Sequence, residues 1–147
     1  MAADSLAGLV VVGCSRRKLV TSGPVPALDR YQGWYAPPLR ARLAAHPEYR
    51  SRVLVMSARW GLLRADHPVA TYEQPLTAER ARELRGPVRR ALARHLSDFP
   101  AREALLLLEP AYLRLLGTPG VPVAHTISRP GRFADACRLL DAWGWPS

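Results

Sequence analysis

At 147 residues, with 21 Lys and Arg against 12 Asp and Glu, the chain suffices for one packed domain and carries a formal charge of +9 and a pI near 10.7. Hydrophobic residues make up 48% of it, yet none of their runs approaches the ~20 residues of a membrane span, and Met1-Ala2-Ala3-Asp4-Ser5 lacks the cationic segment of a secretion signal. These features exclude a membrane partner, imply a cytoplasmic location and point to an anionic ligand, a nucleotide or a nucleic acid.

The first predicted element is a strand from Leu6 to Val12. Its uninterrupted Val10-Val11-Val12 suits a strand buried on both faces. The run ends abruptly in Gly13-Cys14-Ser15, followed by Arg16-Arg17-Lys18. In open α/β sheets ligands bind beyond the carboxyl ends of such strands, so fixed cations there suit an anion. Lys18 is the single lysine in a chain that uses arginine everywhere else. Its ammonium is a compact point charge that can act as base or nucleophile when buried. A solvated loop lysine is the bland alternative.

Residues Leu19 to Pro38 are rich in Gly and Pro and read as a long loop. Within it, Tyr31, Trp34 and Tyr35 lie among polar residues and either stack on a base or cover the core. A short helix is predicted from Pro38 to Ala45, then a second strand from Arg52 to Met56. This strand also ends in small residues and a cation, Ser57-Ala58-Arg59, before Trp60-Gly61-Leu62-Leu63. The repetition of that pattern suggests a shared ligand cleft. An irregular stretch, Arg64 to Pro75, carries Asp66, His67, Tyr72 and Glu73.

Thr77 reads as the N-cap of a helix with Glu79 in its first turn. Ala81, Leu84, Val88, Leu92 and Leu96 trace its apolar face, and Gly86-Pro87 predicts a kink or a break. Arg82, Arg85, Arg89 and Arg90 form an opposing charged face, which a solvated surface explains by default. A third strand is expected over Ala104 to Leu108 and a helix from Ala111 that Gly117 ends. A fourth strand spans Val121 to Ile127, and a final helix Phe133 to Trp143. The alternation predicts one α/β domain over residues 1–147, three-layered, with a mostly parallel sheet of four to five strands.

Two cysteines, Cys14 and Cys137, make neither a disulfide framework nor a metal site, and the His, Asp and Glu residues show no ligand spacing. No metal and no cofactor is therefore expected. The oligomeric state is open. Cys14 ends a strand beside cations that would raise its thiolate fraction, although a small packed cysteine fits the same place.

Gly13-Cys14-Ser15-x-Arg17-Lys18, Tyr31-x-Gly33, Ser57-Ala58-x-x-Gly61-Leu62-Leu63 and Tyr72-Glu73 follow one another in the first half of the chain. This order resembles a family of small uncharacterised bacterial proteins with G-C-x-x-R-K, Y-x-G, S-A-x-x-G-L-L and Tyr motifs. That family is distantly similar to domains associated with tRNA-guanine transglycosylase and archaeosine-type enzymes, and to peroxide-stress proteins that bind DNA. The resemblance implies a nucleobase or nucleic-acid context.

The spacing lacks the G-x-x-x-x-G-K-[ST] of a triphosphate loop, which disfavours phosphoryl transfer. Cleavage between base and sugar needs an anion clamp, an aromatic stack and one carboxylate. Arg17 and Lys18 are candidates for the clamp, and Tyr31 or Trp34 for the stack. The carboxylate comes from Asp66 or Glu73 in preference to Glu109, while Gly13, Cys14, Ser15, Gly33, Ser57, Ala58, Gly61 and Tyr72 shape the binding site. His67 and His125 read as structural. The sequence thus predicts an N-glycosidic hydrolase or glycosylase acting on a nucleotide or on a base in nucleic acid. A DNA- or RNA-binding module without catalysis is the main alternative, and a thiol enzyme using Cys14 is a third.

Overall fold

A computed structural model describes residues 8–13, 23–31, 35–70, 72 and 74–147. In chain order its elements are β1 (Gly8–Gly13), β2 (Val25–Pro26), α1 (Ala27–Arg30), α2 (Ala36–Leu43), α3 (Pro47–Arg50), β3 (Val53–Ser57), β4 (Gly61–Arg64) and β5 (Pro68–Val69). There follow α4 (Ala78–Asp98), β6 (Glu103–Leu107), α5 (Pro110–Leu116), β7 (Val123–Thr126), a single 3-10 turn (Pro130–Arg132) and α6 (Phe133–Ala142).

Five strands form one sheet in the order β4-β3-β1-β6-β7, parallel except for the antiparallel edge strand β4. The expected α/β domain with a mostly parallel sheet is therefore present. Every residue of β1 is buried, because β1 is central and both sheet faces are covered. Val10, Val12, Val55 and Leu107 pack with Leu39, Leu43 and Leu140 on one face. Leu9, Val11, Met56 and Leu106 pack with Leu84, Val88, Leu92 and Leu116 on the other. Helices thus make the outer two of three layers.

The chain leaves β1 towards β3 and later returns past it to β6. The two crossovers diverge between β1 and β6, which makes the carboxyl ends of these strands the topological switch point. Val12 pairs with Leu107, and Gly13 with Met56, so β1, β3 and β6 end together on that edge.

Three local features depart from the sequence reading. Residues 61–64, expected as part of a strand-end loop, form β4. Ser57 pairs with Gly61 across a three-residue turn, and Gly61 takes φ 80°, a conformation that disfavours any side chain. The turn Ala58-Arg59-Trp60 lacks the Asn, Asp or Pro that marks a hairpin in sequence. Of the kink or break expected at Gly86-Pro87, the break is absent, and α4 runs unbroken for 21 residues. Pro87 is exposed, so water can satisfy the carbonyl it leaves free, while buried Leu84 and Val88 anchor the helix on both sides of it. Part of the stretch read as loop, residues 25–30, forms β2 and the single turn α1, held by Ala27 N–H to the His67 carbonyl at 2.8 Å and Leu28 N–H to the Ala65 carbonyl at 2.9 Å. Thr77 caps α4 as expected, its Oγ1 accepting the Arg80 N–H at 3.1 Å.

His95 is the polar exception beneath α4. It is 3% exposed, stacks on Phe99 with ring centroids 5.0 Å apart, and neither ring nitrogen has a hydrogen-bond partner among the described residues. Burial, reinforced by the charges of Arg64 and Arg52 and opposed by Asp98, pushes its imidazole down from 6.5 to about 4. The unfolded chain therefore takes up this proton first as pH falls, and stability is lost between pH 6.5 and about 4. The loss attributable to this one group reaches up to about 3 kcal/mol. Urea unfolding of His95→Leu across that range is expected to show a shallower decline than the parent chain. Gly61→Ala is expected to lower stability by about 1–2 kcal/mol, read as a shift in the urea midpoint.

Candidate functional site

The residues that gather at the carboxyl edge are organised by three hydroxyls. Ser57 ends β3 and is fully buried. Its Oγ accepts the backbone N–H groups of Arg59 and Trp60, each at 3.1 Å, which caps the hairpin turn. The same Oγ lies 2.8 Å from the Tyr72 hydroxyl, and that hydroxyl is hydrogen-bonded to the hydroxyl of Tyr31. Polarity follows from valence. With both oxygen lone pairs engaged by backbone donors, Ser57 is left to donate its proton to Tyr72, and the Tyr72 and Tyr31 hydroxyls share the next hydrogen bond. The two tyrosine rings meet edge to face, with centroids 6.5 Å apart and an interplanar angle of 80°.

The turn between β3 and β4 is also held from outside. Arg80, in the first turn of α4, donates to the Ala58 carbonyl at 3.0 Å and to the Arg59 carbonyl, and its other amino group meets Glu83 at 2.8 Å. Ala58 is buried in this turn. Trp60 by contrast is 48% exposed, and the Arg59 guanidinium lies 4.9 Å from its ring centroid. A rigid turn therefore presents an aromatic ring and a cation together at the sheet edge. Arg59 is the cation expected at the end of the second strand, whereas Trp60 occupies an unspecified position of S-A-x-x-G. Trp60 at the tip of a turn next to a strand end was the signal available.

The other predicted site residues are divided between this edge and more distant places. Tyr31 is fully buried, so its ring belongs to the core and is not open to stacking on a base; its contribution to the edge is the hydroxyl. Gly13 ends β1 beside Leu108, whose side chain would lie 3.3 Å from an added Cβ. Asp66 follows β4, whose Arg64 pairs with Leu54, and the Ala65 N–H bonds to the Val53 carbonyl. Asp66 therefore stands near the opposite end of β3 from Ser57, a separation of about 13 Å along the strand. There it accepts two hydrogen bonds from Arg50, at 2.6 and 2.9 Å, the same arginine that lies 3.6 Å from Asp29. This ion pair ties α3 to the β4–β5 connection and gives Asp66 a structural role remote from the edge. His125 pairs with Glu103 at 3.3 Å at the amino end of β6, and Glu109 is exposed before α5.

Lys18, Cys14, Ser15, Arg17, Gly33, Trp34 and Glu73 lie outside the described residues. Among the described residues, no group of three or more His, Cys, Asp or Glu is arranged to hold a metal ion, and no helix is long and apolar enough to cross a membrane. Comparison with protein-family models, with curated proteins and with solved structures finds no match for this chain.

Replacing Tyr72 by Phe removes the middle hydroxyl and leaves Ser57 and Tyr31 without it. The expected cost is about 1–3 kcal/mol in unfolding free energy. Tyr31→Phe is expected to cost less, because the bond between Ser57 and Tyr72 survives. A double-mutant cycle on Ser57→Ala and Tyr72→Phe should give a non-zero coupling; strict additivity would show that the hydroxyl chain contributes nothing.

Proposed function

We propose that the protein binds a nucleotide, or a base within a nucleic acid, at the carboxyl edge and cleaves its N-glycosidic bond. The observation that carries this reading is the Arg59–Trp60 pair, an exposed indole with a guanidinium over it on a turn fixed by Ser57 and Arg80. An indole of that kind suits stacking on a base, and the cation suits the phosphate that accompanies it. The same edge of the sheet carries the switch point between β1 and β6, the kind of place where α/β proteins bind their ligands.

The motif order resembles an uncharacterised family distantly similar to domains associated with nucleobase-modifying enzymes, a resemblance that implies the same class of substrate. In the proposed reaction, water adds to the anomeric carbon and the base departs with the bonding electron pair, taking up a proton at nitrogen. The role for a carboxylate is to activate the water or to stabilise the oxocarbenium-like centre. Glu73, the residue after Tyr72, is assigned that role in place of Asp66, whose charge is taken up by Arg50. Lys18 and Arg17 are assigned to the phosphate.

The test is incubation with a panel of mononucleotides, single- and double-stranded DNA and tRNA, with mass spectrometry for free bases. Release of one base is expected. Glu73→Gln should abolish it, and Trp60→Ala should lower kcat/KM by about tenfold or more through loss of stacking. No free base from any substrate would overturn the reaction. Salt-sensitive binding without release would instead identify a nucleic-acid-binding module, the reading favoured by the charge of +9.

A further inference from the structure

Arginines near the carboxyl edge fall into two groups. Arg80 is fully engaged by the hairpin turn and Glu83. Arg82, Arg85 and Arg114 make no hydrogen bond or ion pair with any described residue, and all three are exposed. They line a groove of about 440 Å³ between the amino-terminal part of α4 and the length of α5. Apart from Thr77 its remaining wall is apolar, with Leu76, Ala111 and Leu115 among the lining side chains, and no acidic residue lines it.

Helical geometry gathers this charge on one flank. At 100° per residue, Arg82, Arg85 and Arg89 fall within about 60° of one another on one flank of α4. Glu79 stands about 60° around the helix from Arg82 but forms no ion pair with any described residue, while Glu83 lies about 100° or more from the flank and is paired with Arg80. Arg89 continues the stripe to the far end of α5, where a Cβ added to Gly117 would stand 2.8 Å from its guanidinium. From Arg82 to Arg89 the stripe covers about 10 Å. The amino-terminal dipole of the 21-residue α4 adds positive potential at the same end.

The groove meets the site described above. Arg80 clamps the first turn of α4 to residues 58 and 59, and α5 begins three residues after β6 ends. Both helix starts therefore stand at the carboxyl edge that holds Ser57 and Trp60.

We infer that this groove is a track for the sugar–phosphate backbone of a single-stranded nucleic acid leading to the carboxyl edge. The assignment of the edge as the base site rests on the proposed function, whereas binding in the groove is measurable by itself. A lone nucleotide has one cluster of phosphates and cannot span the stripe. Two or three successive phosphates of one strand can, with sugars against the apolar wall. A duplex presents two backbones, and the groove takes one.

The experiment is fluorescence anisotropy with a labelled single-stranded DNA of about a dozen nucleotides, titrated between about 50 and 200 mM salt. The parent chain is expected to bind with a steep salt dependence. The triple variant Arg82→Ala, Arg85→Ala, Arg114→Ala should bind at least tenfold more weakly, with the slope of log K against log salt reduced by about 2. The corresponding triple lysine variant should retain the slope, which separates charge from any structural effect. Arg138→Ala, on α6, should leave affinity and slope unchanged. Parent-like affinity and slope in the triple alanine variant would overturn the assignment, as would an absence of single-strand binding by the parent chain or tighter binding of a duplex. Base release from mononucleotides together with parent-like strand binding by the alanine variant would sink the groove and leave the proposed reaction standing. Groove-dependent strand binding with no base release would do the reverse.

Discussion

Everything in this fold depends on the burial of β1 from both sides. A strand of six residues with no exposed position requires a partner strand on each edge and helices over each face. The chain meets this by sending its first crossover to β3 and its second to β6, with α2 and α6 on one face and α4 and α5 on the other. Parallel strands joined by right-handed crossovers end on the same edge. The candidate site is thus tied to the burial of β1: the arrangement that covers the strand also gathers Gly13, Ser57 and Leu107 at one end of the sheet. Even the start of β1 reflects this, since a Cβ on Gly8 would lie 2.5 Å from the Trp143 ring that closes the face there.

At that edge polar chemistry is placed inside the protein, where it is costly unless paired. Ser57 resolves the problem by using one oxygen for two purposes, closing the β3–β4 turn and opening the hydroxyl chain to Tyr72 and Tyr31. The turn and the tyrosine pair are therefore mechanically one unit. Arg30 and Arg40 extend the same economy to the loop that carries Tyr31. Arg30 is buried and donates to the Val69 and Gly23 carbonyls, the former at 2.7 Å, and Arg40 donates to the carbonyls of Leu28 and Tyr31 at 3.1 and 3.2 Å. Guanidinium groups with several donors in a fixed plane suit this bracing of irregular backbone, which a lysine could not reproduce.

The high positive charge consequently has two meanings. Arg30, Arg40, Arg42, Arg50 and Arg80 hold the fold through carbonyls and carboxylates. Arg82, Arg85 and Arg114 hold nothing within the described protein and face a groove. Net charge alone could not separate these groups. The second lies on the side of α4 that turns towards α5.

The sequence by itself determined the α/β class, the four parallel strands to within one or two residues at each end, the cap of α4 and its buried face. These are local or periodic properties: runs of β-branched and leucine residues, a threonine before a helical repeat, and apolar spacings of three and four. It also marked Ser57, Gly61 and Tyr72 as a set. What joins them, a hydroxyl chain between residues up to 41 apart, was decided by tertiary structure. So were the antiparallel return of β4, the continuity of α4 through Pro87, the burial of Tyr31 and the removal of Asp66 to the far end of β3. Each depends on a partner distant in sequence: Leu84 and Val88 beneath Gly61, the sheet beneath α4, Tyr72 against Tyr31, and Arg50 against Asp66. Pattern reads which residues are buried or capped, but a charge or a hydroxyl takes its role from the group across from it, and only the packed chain brings that group into place.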